Sequence, residues 1–107
     1  MARVSIGTYD PTGFANDVIA VDVTVEANGM NPFLHLYLHL DTNIPPLYRR
    51  VLKVYLPRGT TFFSELVPCP PQAGIYFLHA DLYEGTQAKL VATAGQGPGQ
   101  AHPVEIH

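Results

Sequence analysis

The sequence predicts an all-β domain, an antiparallel sandwich of two sheets with about seven strands. Three observations predict it: apolar residues recur with a period of two, turn residues interrupt the chain at short intervals, and no stretch has the apolar spacing of a helix. Ten prolines and nine glycines leave no uninterrupted helical window. A chain of 107 residues is long enough for one such domain with a single core.

The clearest strand covers residues 33–40, where leucines alternate with aromatic and histidine residues. One face of this strand carries Leu34, Leu36, Leu38 and Leu40. Residues 18–26 alternate in the same way, and their apolar face carries Ile19, Val21, Val23 and Val25. Because side chains of a strand point alternately to opposite faces, both segments are typical of strands with one face in the core.

A third alternating run, residues 75–83, holds large apolar groups on both faces. One face carries Tyr76, Leu78, Ala80 and Leu82. Weaker strands are predicted by β-branched and aromatic residues between turn signals. These weaker strands are residues 3–8, 51–56, 61–67 and 87–93, and the turn signals include 10–13, Asn28-Gly29, 43–46, 57–59, 68–74 and Glu84-Gly85.

The end of the chain departs from this pattern. Residues 94–100 are rich in glycine and have the composition of a flexible linker, and in residues 101–107 Val104 and Ile106 alternate with polar residues. We therefore expect the sandwich to occupy residues 1–94, with 95–107 forming a linker and either a short tail or an extra strand. Such a segment also suits strand addition to the open sheet edge of a neighbouring molecule, through Val104 and Ile106.

Composition excludes several classes of function. Apolar residues make up 47% of the chain and charged residues 14%, which argues against disorder. The net charge of −3 is unfavourable for electrostatic binding to the phosphate backbones of nucleic acids. No apolar run is long enough to span a bilayer, and the first residues lack the apolar stretch of a signal peptide. The single cysteine, Cys69, has no partner for an internal disulfide, and we interpret it as a small apolar residue of a loop.

Residues 70–80, Pro-Pro-Gln-Ala-Gly-Ile-Tyr-Phe-Leu-His-Ala, carry a family resemblance. They resemble the approach to strand F of immunoglobulin-like domains, with Tyr76 as the tyrosine of the tyrosine corner. Leu78 stands where antibody domains have a cysteine, and the chain has no Trp. With the turn Pro57-Arg58-Gly59 before the Gly-x-Tyr strand, residues 17–93 look more like bacterial and archaeal immunoglobulin-like modules of the fibronectin type III and cell-adhesion-related kind.

That resemblance implies an immunoglobulin-like sandwich with an adhesive, spacer or assembly role, usually outside the cell. It supplies no catalytic residue and no cofactor, and fold alone does not fix function. The compartment stays open, because the chain shows no signal peptide of its own.

The candidate interaction surface is one face of two predicted strands. If 33–40 is strand C and 75–83 is strand F, the two are neighbours in one sheet and their outward side chains form one surface. This surface consists of Phe33, His35, Tyr37, His39, Ile75, Phe77, His79, Asp81 and Tyr83. A contiguous aromatic patch favours a contact surface. The alternatives are a cover by the tail or a long loop of the same chain, and an ordinary exposed sheet.

Two more specific interpretations concern metal binding and catalysis. His35, His39, His79 and Asp81 are competent ligands for zinc or copper. However, residues i and i+4 of one strand lie about 13 Å apart, so His35 and His39 are too distant to share one ion, and the sequence favours no metal site. Neither serine, Ser5 or Ser64, lies in a nucleophile motif, and no phosphate loop is present, so we expect no enzyme.

The sequence therefore predicts a non-enzymatic structural or protein-interaction module. Its expected partner is protein, either copies of itself in a homo-oligomer or polymer, or a larger surface assembly, and not nucleic acid. The alternative is a sandwich that binds a carbohydrate or another small ligand, with Tyr37, Phe77 and Tyr83 as stacking platforms.

Overall fold

The computed structural model describes residues 2–40, 50–95 and 101–107. These residues form nine β-strands and contain no helix. The strands are β1 Arg3–Tyr9, β2 Thr12–Gly13, β3 Val18–Ala27, β4 Phe33–His39, β5 Leu52–Tyr55, β6 Gly59–Pro68, β7 Gly74–Glu84, β8 Lys89–Ala94 and β9 Pro103–Ile106. The turn predicted at 43–46 and residues 96–100 of the predicted linker lie outside the described residues.

The strands form two sheets. The smaller sheet has the order β1-β3-β6, and the larger has the order β2-β9-β7-β4-β5, with β8 also paired to β7. Strand β9 pairs with the first part of β7 and β8 pairs with the last part. All seven strands predicted from the sequence are present, and the all-β immunoglobulin-like sandwich is confirmed. The short strand β2 was not predicted, because two residues give no alternation to detect.

The core lies between the sheets and is built by the alternation already visible in the sequence. The apolar face of β3 is buried, and the leucines of β4 at 34, 36 and 38 are fully buried in the same core cluster. Each such aliphatic side chain contributes about 1.5 to 3 kcal/mol by leaving water. The fourth leucine of the predicted face, Leu40, is exposed instead, because β4 ends at His39.

Tyr76 forms the predicted tyrosine corner. Its side chain is buried, and its hydroxyl donates a hydrogen bond to the backbone carbonyl of Gln72 over 3.0 Å. The bond ties the start of β7 to the preceding loop, as it does in immunoglobulin-like domains.

The C-terminal segment is a strand of the protein's own larger sheet. Residues 103–106 form β9, antiparallel to β7 and parallel to β2, and both Val104 and Ile106 are buried. Of the two forms predicted for this segment, the extra strand is the one found. Val104 and Ile106 therefore contribute to the core of their own chain. Strand addition to a neighbour through these two residues stays a prediction.

None of the described residues forms a helix long and apolar enough to cross a membrane.

Candidate functional site

Strands β4 and β7 bring the predicted surface residues together. The two strands are antiparallel neighbours, as expected for strands C and F, and the candidate residues face one another across the ladder. The opposed pairs are Phe33 with Tyr83, His35 with Asp81, Tyr37 with His79, and His39 with Phe77. Ile75 lies further along β7, opposite Glu105 of β9, and is exposed.

One end of this face is a group of aromatic rings that we call the aromatic cluster, formed by Phe33, His35, Tyr55 and Tyr83 with Lys53. Phe33 and Tyr83 are stacked, with ring centroids 5.0 Å apart and an interplanar angle of 12°. His35 approaches Tyr83 at 4.9 Å and Tyr55 approaches Phe33 at 6.2 Å. The Tyr55 side chain is 74% exposed, whereas Phe33, His35 and Tyr83 are half-buried.

Strand β5 adds two members of this cluster that the sequence analysis missed. Tyr55 pairs with Phe33 and Lys53 pairs with His35. The Lys53 Nζ atom lies 4.4 Å from the ring centroid of Phe33 and 5.0 Å from that of Tyr55, within the range of cation–π attraction. The alternation of Leu52 and Val54 with Lys53 and Tyr55 was the available signal, because it places the latter two on the outward face.

The other part of the face, which we call the polar cluster, consists of Tyr37, His39, His79 and Asp81. Unlike the aromatic cluster, it is enclosed by the protein: the four side chains are 4%, 1%, 3% and 4% exposed, respectively. The Tyr37 hydroxyl donates a 2.8 Å hydrogen bond to the Asp81 carboxylate. The Tyr37 ring also lies 5.8 Å from the His39 ring and 5.7 Å from the His79 ring.

His39 and His79 are in direct contact across the ladder. Their Nε2 atoms are 2.6 Å apart, and their rings meet nearly at right angles with centroids 3.7 Å apart. Only one proton fits between two nitrogens at this distance, so one Nε2 donates and the other accepts, and the accepting ring carries its proton on Nδ1. Burying such a pair costs free energy of folding unless its polar atoms form hydrogen bonds.

Gly95 packs against the polar cluster at the end of β8. A Cβ atom at this position would overlap the backbone carbonyl oxygen of Leu78 and approach Cδ2 of His79 to 3.1 Å. Glycine therefore lets the chain pass close to the backbone of Leu78 and the ring of His79.

The exposure of the predicted surface is uneven. Side-chain alternation predicts that all nine residues form one outward patch, but the polar cluster is buried, and the sheet face is open mainly at the aromatic cluster and at Ile75. Burial also separates the three predicted stacking platforms, because Tyr37 is enclosed while Phe77 and Tyr83 are half-buried. Alternation shows on which side of a strand a residue lies and carries no information about what covers that side.

The four residues that the sequence offers as competent metal ligands are not brought together as one set. His39 and His79 touch, whereas His35 lies in the aromatic cluster. Within residues 2–40, 50–95 and 101–107, no group of three or more His, Cys, Asp or Glu side chains is arranged to hold a metal ion.

A separate cleft of about 630 Å³ lies beside β1, where this strand approaches β8. Its walls include Arg3, Glu26 and Thr93, and Arg3 Nε lies 4.0 Å from the Glu26 carboxylate. A volume of this size is in the range that small ligands occupy.

No protein-family model and no curated protein matches the sequence. Among solved structures, the chain is similar to the crystal structure of the CARDB domain of the PF1109 protein from Pyrococcus furiosus, in complex with di-metal ions. The two are 16% identical, the similarity covers 99% of this chain and 92% of that one, and the TM-score is 0.56. At this identity the likeness concerns the fold, and it agrees with the immunoglobulin-like kind of sandwich that the sequence resembles.

Proposed function

We propose that this protein is a non-enzymatic interaction module of the immunoglobulin-like kind, and that the aromatic cluster binds a protein partner. A second copy of the chain is the partner we propose first. The observation that carries the proposal is the exposure of Tyr55 beside ordered aromatic rings.

The chemistry of the aromatic cluster suits a protein contact. Tyr55 exposes most of its surface, yet its ring is held beside Phe33 and under the Lys53 ammonium group, so little side-chain freedom remains to be lost on binding. Tyrosine is enriched among the residues that dominate binding energy at interfaces. The Lys53 charge at the rim adds a preference for partners with acidic groups, which a chain of net charge −3 itself offers.

The non-enzymatic part of the proposal rests on what the site contains. The polar cluster has titratable groups but is closed to solvent, and the open surface of the aromatic cluster consists mainly of stacked and tilted rings. Similarity to a CARDB domain supports the same interpretation at the level of the fold.

The test compares two substitutions that remove equally exposed aromatic rings. Tyr55→Ser acts on the aromatic cluster, and Phe62→Ser acts on β6 of the other sheet, where Phe62 is 77% exposed. Solution mass is measured by size-exclusion chromatography with light scattering over a concentration series. We expect the wild-type chain to self-associate and Tyr55→Ser to weaken association by about tenfold or more, the effect of losing a dominant interface residue. Phe62→Ser should leave association unchanged.

Two outcomes would contradict the proposal. If Phe62→Ser weakens association and Tyr55→Ser does not, the contact lies on the smaller sheet. If the wild-type chain is monomeric at every concentration, the second copy is not the partner.

A ligand-binding module is the second candidate, favoured by the cleft beside β1. The Arg3–Glu26 pair and Thr93 give this cleft polar groups on its walls. Binding of a related set of sugars on a glycan array would support this candidate, and an interaction module should bind none of them.

A further inference from the structure

We propose that β5 is a docking edge for an acidic, extended segment of another protein, which joins the larger sheet as an added strand. Strand β5 ends this sheet, because among the described residues it pairs only with β4. The inference goes beyond the ring contacts of the aromatic cluster. It does not depend on self-association of the chain, although Lys53 and Tyr55 belong to both surfaces.

The direction of the backbone groups of β5 is the first argument. The N–H group of Leu56 donates to the carbonyl of Pro32, just before β4, over 3.0 Å. Successive residues of a strand direct their N–H and C=O groups to opposite sides, so the even-numbered residues of β5 also face β4. The N–H and C=O groups of Lys53 and Tyr55 therefore point to the open edge, where an extended peptide can bond to them.

The charges around this edge are the second argument. Residues 42–64 contain four of the six lysines and arginines of the chain and no Asp or Glu, although the whole chain has a net charge of −3. Arg50, Lys53 and Arg58 are exposed, and none of them forms an ion pair with another residue that the structure describes. A local excess of cations in an acidic chain attracts acidic partners to this edge.

The outward face of β5 is the third argument. The exposed Tyr55 ring and the Lys53 ammonium group share this face, with the Nζ atom 5.0 Å from the ring centroid. In an antiparallel added strand, the residues opposite Lys53 and Tyr55 lie on the same face and exchange backbone hydrogen bonds with them. Acidic residues at every second position of the partner therefore meet Lys53, and the residues between them turn toward the core side.

A protein segment fits this edge better than single-stranded nucleic acid. Cations beside an exposed tyrosine also suit phosphates and a stacked base. However, alternating N–H and C=O groups are complemented by a peptide backbone and not by a sugar–phosphate backbone. A second copy of the chain is a poorer occupant, because its open edge strands β1 and β8 contain no Asp or Glu, and Glu65 of β6 lies on the core side.

The test is titration of a fluorescein-labelled peptide, Glu-Val-Glu-Val-Glu-Val-Glu with blocked ends, with the full chain, followed by fluorescence anisotropy. The protein concentrations are those at which light scattering shows the wild type to be monomeric, so the result is independent of self-association. We expect saturable binding that weakens as salt is added. A peptide of the same length with Lys in place of Glu should not bind.

Substitutions locate the binding edge. Lys53→Gln/Arg58→Gln should weaken peptide binding about fivefold or more, because two exposed ion pairs with the peptide are lost. The matched control is Lys89→Gln, since Lys89 is an exposed cation on β8, another strand with an open edge in the same sheet. This variant should bind the peptide as the wild type does. All three side chains are exposed, so both variants should keep the melting temperature of the wild type.

A second peptide separates strand addition from charge attraction alone. It carries N-methyl groups on its glutamates, which remove the N–H donors that face β5 and keep every charge. We expect it to bind about fivefold more weakly or worse, because backbone hydrogen bonds are lost. On binding of the unmethylated peptide, amide hydrogen exchange should slow at Lys53 and Tyr55 and stay unchanged in β8.

Four outcomes would overturn the proposal. They are absence of saturable binding to the wild type, equal binding of the methylated and unmethylated peptides, unchanged binding by Lys53→Gln/Arg58→Gln, and slowed exchange in β8 instead of β5. Tighter binding of an oligodeoxythymidylate than of the acidic peptide would overturn it as well, because the edge would then select nucleic acid.

Discussion

Gly85 and Gly95 have the same backbone conformation in different surroundings. Both have φ of +89°, in the left-handed region that favours glycine. A Cβ atom on Gly85 would meet nothing within 4 Å, whereas one on Gly95 would overlap the carbonyl oxygen of Leu78. The pair therefore separates the cost of the backbone conformation from the cost of crowding.

We predict that Gly85→Ala lowers the free energy of unfolding by about 1 kcal/mol, because of the left-handed conformation alone. Gly95→Ala should lower it by about 1 to 3 kcal/mol more, because the added methyl group overpacks the contact with Leu78 and His79. Urea denaturation of the two variants measures the difference. Equal losses would show that the chain around Gly95 relaxes freely.

Because of Cys69, we expect the free energy of unfolding to depend on pH in the alkaline range. Burial is the main cause that raises the pKa of its thiol above the ordinary value of 9.0, and the nearby charges of Asp17 and Asp10 raise it further. Above pH 9.0 the thiol of the unfolded chain loses its proton while the folded one keeps it, so the folded state binds more protons. Stability is thus fully present below this pH and falls as the pH rises.

We predict that the free energy of unfolding decreases from pH 8 to pH 10 more steeply in the wild-type chain than in Cys69→Ala. Chemical denaturation at several pH values checks this difference. The native thiol should also react slowly with a disulfide reagent at pH 8 compared with the unfolded chain. Parallel pH profiles of the two proteins would contradict the expected role of Cys69.

Among the strands, β9 is more buried and more fully paired than its short, C-terminal sequence suggests. Four residues after a glycine-rich segment suggest a frayed end, yet they lie between β2 and β7 and bury two aliphatic side chains. Backbone hydrogen bonds on both sides, including Glu105 N–H to the Pro11 carbonyl at 2.9 Å, hold the strand in place.

We predict that Val104→Ala lowers the free energy of unfolding by about 2 kcal/mol or more, the usual cost of a cavity in a packed core. Glu105→Ala, at the exposed neighbouring position of the same strand, should change it by less than about 0.5 kcal/mol. Thermal and urea denaturation measure both. A neutral Val104→Ala would mean that β9 does not pack stably in solution.

The long strands were predictable from the sequence because apolar residues recur at every second position, as Leu34 and Leu36 do in β4. The outward face of β4 and β7 was predictable for the same reason. The burial of its polar cluster was not, since the cover of a face depends on contacts distant in the sequence, such as Gly95 against His79. The contact between His39 and His79 also required the register of the ladder, which alternation does not supply.

For the whole molecule, the sheet edges matter as much as the faces. Among the described residues, β1 and β6 are the edges of the smaller sheet. On β6, the carboxylate of Glu65 lies on the same side as Phe63 and Val67, which face the core. A charge directed inward on an edge strand disfavours pairing of β6 with the edge of another molecule.

The position of β9 has a consequence for how the protein is made. A ribosome releases β2 and β7 before it releases the strand that lies between them, and the pairs of Thr12 with Glu105 and Gly13 with Ile106 join nearly opposite ends of the chain. Pairing over such separations is slow because a long loop must close first. The larger sheet therefore reaches its native strand order only after Ile106 has left the ribosome, and until then β2 and the first part of β7 lack the strand that lies between them.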